Sequence, residues 1–233
     1  MSVFAALNVY HDAAAHSAAM NMAIDEALLE DATVPSIRFY RWHSPALSFG
    51  YFGKFAHAAC YAGERDLVRR WTGGGIVFHG EDLTYSIVIP ANDNVFSESS
   101  MSIYEKVHRA LCDALDGNGK RAVVAGGGDP GGAADAIRTA FSAGGYNCFA
   151  NPVRADVMVD GRKIAGAAQR RTRRGLLQQG SIQGIHLENR LSERFAVELS
   201  NNCQSQSLPK AVQCRALEIA AQKYGAEAWL RKR

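Results

Sequence analysis

Arg69-Arg70-Trp71-Thr72-Gly73-Gly74-Gly75-Ile76-Val77-Phe78-His79 joins two short apolar runs through three consecutive glycines. Asp66 to Trp71 and Ile76 to Phe78 read as the flanking strands. Glycine adopts backbone angles closed to other residues and leaves room for a ligand to lie against the main chain. Two readings of the segment stand. Taken alone, three glycines between strands read first as a hairpin turn. The other reading is an anion cradle: the Thr72 hydroxyl, the backbone N–H groups of Gly73, Gly74 and Gly75, and the Arg70 fork suit a carboxylate or a phosphate.

The segments on either side set the fold class. Met20 to Leu29 carries apolar residues at helical spacing (Met20, Ala23, Ile24, Ala27, Leu28), with Ser17 or Asn21 near its start. Asp25 and Glu26 interrupt that stripe and read as a solvated helix face, with a carboxylate pair for acid–base work as the alternative. Ser36 to Trp42 alternates as a strand, and Ala46 to Phe52 follows as a second one after Pro45. Leu83 to Ile89 is a further strand, stopped by Pro90. Ile103 to Leu115 reads as a serine-capped helix with Ile103, Val107, Ala110, Leu111 and Ala114 on one face. Arg121 to Ala125 is a short strand.

Residues 126–147 are rich in glycine and alanine and read as a flexible loop. They match neither GxxxxGK[ST] nor a GxGxxG between strand and helix, so no nucleotide loop is read there. Asp156 to Val159 runs into Asp160-Gly161, a strong hairpin signal, and Arg162 to Gln169 returns. Leu176 to Gln183 is another strand. From Ser192 onward the tail reads as mostly helical, with Pro209 between two helices. This order predicts an α+β fold, a largely antiparallel or mixed β-sheet flanked by helices, in one domain over residues 1–233.

Composition narrows the function classes. The 233 residues are 47% hydrophobic and 21% charged with a net charge of +3, which suits a globular chain. No long basic tract interleaved with aromatics points to nucleic acid. The densest basic cluster, Arg170-Arg171-Thr172-Arg173-Arg174, reads as a solvated turn between strands. Five scattered cysteines without a CxxC pair argue against a disulfide framework and a zinc site, and no metal site is expected. With no signal-peptide pattern and no run of about 18 apolar residues, a cytoplasmic protein without a membrane span is expected.

A second constellation lies beyond the glycine-rich stretch. Cys148-Phe149 follows it, and Asp156 and Lys163 flank the Asp-Gly turn, where paired strands lie about 5 Å apart and can share one ligand. Ala165, Gly166, Ala167 and Ala168 after the lysine either pack against a helix or leave a slot open. Alone, Lys163 reads as a surface lysine on an edge strand, and Cys148 as a small buried hydrophobe.

Together with the Thr-Gly-Gly-Gly segment, these residues resemble the lipoate–protein ligase and octanoyltransferase family. The matching text is Asn21 to Leu28, Arg38 to Trp42, Arg69 to Pro90, and Cys148 to Ile182, which contains Asp160-Gly161-Arg162-Lys163-Ile164-Ala165-Gly166 and Leu177-Gln178-Gln179-Gly180-Ser181-Ile182. Lys223-Tyr224 with Trp229 resembles the family's tail. The resemblance implies the α+β catalytic domain shared with biotin–protein ligases, and attachment of octanoyl or lipoyl groups to a lysine of lipoyl-carrier domains. It implies that Arg70, Thr72, Gly73, Gly74 and Gly75 through Ile76, Val77 and Phe78 line the acyl or adenylate site. Lys163 would contact the acyl carbonyl or phosphate, His79 would shape the pocket, and Asp156 and Gly166 would lie beside it.

Two chemistries divide the family. Acyltransferases take an octanoyl thioester from acyl carrier protein, hold it on a cysteine and pass it on without a cofactor. Ligases activate free lipoate or octanoate with ATP and Mg²⁺ as an acyl adenylate. Cys148-Phe149 resembles the nucleophile position of the monomeric octanoyltransferase branch, so Cys148 and Lys163 are the expected catalytic pair. The acceptors implied are lipoyl domains of the glycine cleavage H protein or 2-oxoacid dehydrogenase E2 type. Gly75-Ile76-Val77-Phe78-His79 instead reads like the ligase form, since the acyltransferase branch often has arginine after the paired glycines. The chain is expected to stop after the catalytic domain, so a ligase of this type is expected to need a separate partner chain in place of the large ligases' carboxy-terminal domain. A protein that binds acyl groups without catalysis is the third reading.

Overall fold

The computed structural model describes residues 2–116, 121–126, 152–184 and 190–232. Cys148 and residues 127–147 of the glycine-rich stretch lie outside them. Eleven strands form two sheets among the described residues. The large sheet contains β1 (Leu7–His11), β2 (Ser36–Tyr40), β6 (Leu83–Pro90), β7 (Ala122–Val124), β8 (Val157–Val159), β9 (Arg162–Arg171), β10 (Gly175–Ile182) and β11 (Cys203–Gln206). Their order across the sheet is β11-β1-β2-β6-β10-β9-β8-β7. The β11, β1 and β2 neighbours run parallel, and every later pair is antiparallel. The small sheet has the order β4-β3-β5, from β4 (Asp66–Arg69), β3 (Ala46–Phe49) and β5 (Ile76–His79).

Helices cover both faces of the large sheet. On one face, α2 (Ser100–Asp116) and α3 (Leu191–Leu199) pack Ile103, Val107, Leu111, Phe195 and Leu199 against Phe39, Tyr85, Ile87 and Ile89. On the other, α1 (Ala18–Asp31) and α4 (Lys210–Ile219) pack Met22, Leu28, Val212 and Ile219 against Tyr40, Val88 and Leu177. A strand covered on both faces needs no polar side, so β2 and β10 are buried at every residue. The alternation expected over Ser36 to Trp42 therefore carries no inside–outside information.

α1 is also buried nearly all round, which overturns the solvated reading of Asp25 and Glu26. Asp25 accepts from Arg38 Nη1 at 2.9 Å, Ser86 Oγ at 2.7 Å and Gln179 Nε2 at 2.7 Å. Glu26 accepts from Lys223 Nζ at 2.6 Å and from the Tyr224 hydroxyl at 2.6 Å. These carboxylates tie α1 to the sheet and to the tail. Ser17 caps the helix, its Oγ accepting from the Met20 N–H at 3.3 Å.

The mostly helical tail contains one unexpected strand. β11 reads Cys-Gln-Ser-Gln, largely exposed, and its backbone completes the parallel edge beside β1. A polar edge strand has no hydrophobic period to betray it. The Asp160-Gly161 turn forms as expected, with φ of 49° and 74° at its two central residues, the signs a type I′ turn requires.

A candidate active site between the two sheets

The three glycines do not make a hairpin. β4 and β5 both pair with β3, which lies between them, so residues 70–75 must cross over the end of that strand. The crossing is tight. Arg70 N–H donates to Phe49 O at 2.8 Å, and Tyr51 N–H donates to Thr72 O at 2.8 Å. A Cβ on Gly50 would sit 2.1 Å from the Gly74 carbonyl oxygen, and Gly74 itself has a φ of 87°. Glycine is required at both positions for these separate reasons.

The crossing brings the glycine loop against the large sheet and leaves a narrow cleft between the two. Arg70, Gly74, Val77 and His79 line it from the small sheet, with Ser48 of β3. Lys163, Gly166, Ala167 and Ala168 of β9 line the opposite wall, next to Gln179, Gly180 and Ser181 of β10. Met22, Tyr40 and Trp42 add apolar surface, and Thr84 a hydroxyl. The two segments singled out in the sequence, some ninety positions apart in the chain, therefore face one another.

Strand alternation explains which of the expected residues reach the cleft. Val77 and His79 face it, whereas Ile76 packs into the small-sheet core and Phe78 meets Tyr61 with ring centroids 5.1 Å apart. Thr72 is buried and turned away from the cleft, its hydroxyl donating to Gln179 Oε1 at 2.8 Å. Gln179 Nε2 reaches Asp25 Oδ2 at 2.7 Å, so Thr72 links the glycine loop to α1 instead of presenting a donor to a ligand. Gly73 and Gly75 serve through their carbonyls, which accept from Arg70 Nη2 at 3.0 and 2.9 Å. The loop thus grips the guanidinium that lines the cleft.

Behind Arg70 runs a chain of hydrogen bonds whose proton positions follow from chemistry. A guanidinium only donates, so Ser48 Oγ accepts from Arg70 Nη1 at 2.6 Å. The Ser48 hydroxyl donates to His79 Nε2 at 2.7 Å, and His79 Nδ1–H donates to Asp82 Oδ2 at 2.8 Å. This arrangement requires a neutral imidazole. Burial pushes the His79 pKa below its ordinary value, against the pull of Asp82 in the other direction. Burial alone would raise Asp82, but bonds from His79, the Ser181 hydroxyl and the Gly80 N–H hold it below the usual carboxylate range. Trp42 stacks on the His79 ring at 4.0 Å, and its indole N–H donates to Thr84 Oγ1 at 2.8 Å.

Lys163 is neither at the surface nor on an edge strand. Its side chain is 6% exposed, and β9 lies between β10 and β8. Its ammonium is 2.8 Å from Asp156 Oδ2. Asp156 is fully buried and does not line the cleft; it is the counter-ion of the lysine that does. Gly166 makes the lysine's path possible, since a Cβ there would lie 2.7 Å from Lys163 Cε and 2.8 Å from Nζ. Cys148, the expected nucleophile, lies outside the described residues.

Sequence reasoning assigned no role to Ser48, Asp82, Trp42, Tyr40, Met22 or Thr84. Asp82, three residues after His79 on the turn from β5 to β6, was the findable one; the others come from strands whose side chains show no pattern beyond burial. The basic turn is largely engaged within the chain. Arg171 donates to Phe96 O and Glu98 O at 2.5 and 2.6 Å, Arg174 lies 3.3 Å from Glu30, and Arg170 stacks over Tyr51 and Trp71. Among the described residues, no helix is long and apolar enough to cross a membrane, and no cluster of three or more His, Cys, Asp or Glu could hold a metal ion.

Comparison with known proteins gives the same frame. The octanoyltransferase LipM of Oceanobacillus iheyensis is 39% identical over 174 residues, covering 71% of this chain and 59% of that protein. LipM of Symbiobacterium thermophilum is 38% identical over 176 residues, covering 70% and 60%. The chain thus spans about three-fifths of the length of these relatives. Among solved structures, a lipoate-protein ligase A bound with ATP superposes with a TM-score of 0.72 at 18% identity, covering 99% of both chains. A bi-partite lipoate protein ligase from Thermoplasma acidophilum gives 0.71 at 18% identity, covering 98% and 96%. These two establish the fold, the α+β arrangement expected from the sequence. The lipoyl protein ligase A/B catalytic domain matches residues 17–188, and the chain belongs to that family.

Proposed function

We propose that this chain is a single catalytic domain that transfers an octanoyl or lipoyl group from the thioester of an acyl carrier protein to a lysine of a lipoyl-carrier domain, through a thioester on Cys148. The observation that carries the reading is the cleft itself: an apolar trough with a lysine and an arginine on opposite walls. Met22, Tyr40, Trp42, Val77 and Ala167 suit an unbranched acyl chain, and the two cations suit its carbonyl. The LipM relatives support the same activity.

In this reaction the Cys148 thiolate attacks the donor carbonyl, and the carrier thiolate leaves. The acceptor lysine's neutral amine then attacks the new thioester, Cys148 leaves as thiolate, and the amine's proton passes to solvent as the amide forms. The first exchange is nearly isoenergetic, so the enzyme need supply only placement, a lowered thiol pKa and oxyanion stabilisation. Lys163 and Arg70 stabilise the oxyanion, a contribution of about 3 kcal/mol for a well-placed donor. No cofactor enters this route.

A second reading is kept because the superposed structures are ligases. In it ATP with Mg²⁺ supplies the activation as an acyl adenylate, and Arg70 and Lys163 hold its phosphate. The apolar lining around those two cations fits the acyl part of such a group and offers little for a nucleotide.

The deciding experiment mixes the pure protein with octanoyl-loaded carrier protein and an apo lipoyl domain, with and without ATP. An octanoyl mass adduct on the protein that disappears in Cys148→Ser, with ATP-independent product, is the expected result. Product that forms only from free acid and ATP, unaffected by Cys148→Ser, replaces it with the ligase.

A further inference from the structure

The Asp156 carboxylate that pairs with Lys163 is itself held from a distant part of the chain. Tyr104 on α2 is buried, and its hydroxyl donates to Asp156 Oδ1 at 2.6 Å. The Tyr104 hydroxyl oxygen in turn accepts from the Ala167 N–H at 3.0 Å. One oxygen thus joins a helix, the counter-ion of Lys163 and the β9 backbone that forms a wall of the cleft. The sheet explains why Ala167 needs it. Pairing of β8 with β9 shifts register between Val157 and Met158 and its last partner is Ala165, so Ala167 finds a tyrosine where a strand would have continued.

A second grip lies one helical turn further along. His108 Nδ1–H donates to Ala155 O at 2.6 Å, and Tyr85 donates to His108 Nε2 at 3.0 Å. Ala155 has a φ of 67°, a left-handed conformation that disfavours any side chain. Its own N–H donates to Ala125 O at 2.8 Å, and the Asp156 carbonyl accepts from the Ala125 N–H at 2.7 Å. The residue before Asp156 is therefore fixed on both sides in a conformation it would not choose alone. Such over-determination places the carboxylate and leaves Lys163 to follow.

We propose that Tyr104 is a positioning residue for Lys163: by locking Asp156 to the Ala167 edge of β9, it sets where the ammonium enters the cleft. The inference rests on Lys163 acting in the proposed transfer. Tyr104 touches no substrate, so its effect must pass through Asp156. Removing the hydroxyl leaves the ring in place but frees one oxygen of a buried carboxylate and orphans the Ala167 N–H. The carboxylate can then swing, and the lysine swings with it.

The test is a double-mutant cycle on turnover, with Lys163→Ala as the reference. Tyr104→Phe should lower kcat by about tenfold with KM for the acyl donor within about twofold, as expected for loss of one hydrogen bond to a charged group. In the Asp156→Asn background the same change should have little further effect, because the path it acts through is already broken. In protein carrying ¹⁵N-labelled lysine, the Nζ signal absent from Lys163→Ala should move in Tyr104→Phe. Full, multiplicative loss in the double variant, or an unmoved Nζ signal, overturns the proposal even if Asp156→Asn fails to fold. Full activity in Lys163→Ala overturns the functional reading instead, and the Nζ signal still decides whether Tyr104 positions the lysine.

Discussion

The two walls of the cleft each present one cation, and they hold it by opposite means. Arg70 is gripped by its neighbours: the Gly73 and Gly75 carbonyls three and five residues on, and Ser48 on the adjacent strand. Lys163 is placed from far away, through Asp156 to Tyr104, 52 residues distant along the chain, and through Ala155 to His108, 47 residues distant. Each cation is backed by a buried histidine. His79 has a carboxylate on one nitrogen, whereas His108 has only a carbonyl and a phenol. The grip on Arg70 comes largely from its own loop, whereas the hold on Lys163 reaches across the tertiary structure. Perturbations should therefore travel further from the second than from the first.

The largest test of that contrast removes the lysine. Lys163→Ala should cut kcat/KM for acyl transfer by about a thousandfold if it stabilises the oxyanion. It should also destabilise the fold by about 3 kcal/mol or more, because it leaves Asp156 buried without its ammonium. Arg70→Lys keeps a charge but loses the fork, and should cost about thirtyfold in rate with little change in stability. Urea unfolding and transfer kinetics on both variants separate the two effects. Equal destabilisation by the two would show that the walls do not differ in the way described.

Acid is the next lever, and it should weigh most heavily on the lysine wall. Burial holds the His108 pKa at about 4, below the unfolded value near 6.5, against weaker opposing pulls from its bond to Ala155 and from Asp156. The unfolded chain therefore binds a proton that the folded chain refuses. Stability is full above pH 6.5 and declines as pH falls toward 4, by about 3 kcal/mol over that window. His79 is depressed in the same direction, but Asp82 opposes the burial and shares the load. Asp82, itself depressed, adds its loss only as pH falls below about 3.8, its unfolded value. Guanidinium midpoints measured from pH 7 to pH 4 should fall for the parent chain, and the slope should shrink in a folded His108→Gln variant. A flat profile would remove His108 from this account.

Legibility in the sequence follows the same division. The glycine loop, the type I′ turn at Asp160-Gly161, the small residues after Lys163 and the capped helices are local patterns, and each lies where the residues indicated. What connects them is not local. Three glycines between strands read as a hairpin because nothing near them announces that β3 lies between β4 and β5. Asp25 and Glu26 read as solvated because their partners, Arg38, Gln179, and the adjacent Lys223 and Tyr224, come from three other places in the chain. β11 carried no period at all. Of the site, its two arms were legible and its supports were not: Ser48 and Tyr104 are an ordinary serine on a strand and an ordinary tyrosine on a helix.

Two glycines make the finest cut between the walls, because both lack room for a methyl group but for different reasons. At Gly50 a Cβ would meet backbone, the carbonyl of Gly74 at 2.1 Å and Gly73 atoms at 2.6 Å. Backbone cannot step aside without moving the whole crossing, so Gly50→Ala should cost about 1–3 kcal/mol of stability, the usual range for overpacking. At Gly166 a Cβ would meet the far end of a flexible side chain, Lys163 Cε and Nζ, and only then Asp156 Oδ1 at 3.1 Å. The far end of the lysine can shift slightly while its ammonium stays paired with Asp156, so Gly166→Ala should change stability by less than about 1 kcal/mol. That shift, however, moves the ammonium within the cleft, and transfer should fall by about tenfold. Thermal melts and kcat on the two variants should thus move in a crossed pattern, stability for one and turnover for the other. Matching losses of stability would mean that Lys163 is held as rigidly as the backbone, and that the lysine wall has no more freedom than the loop facing it.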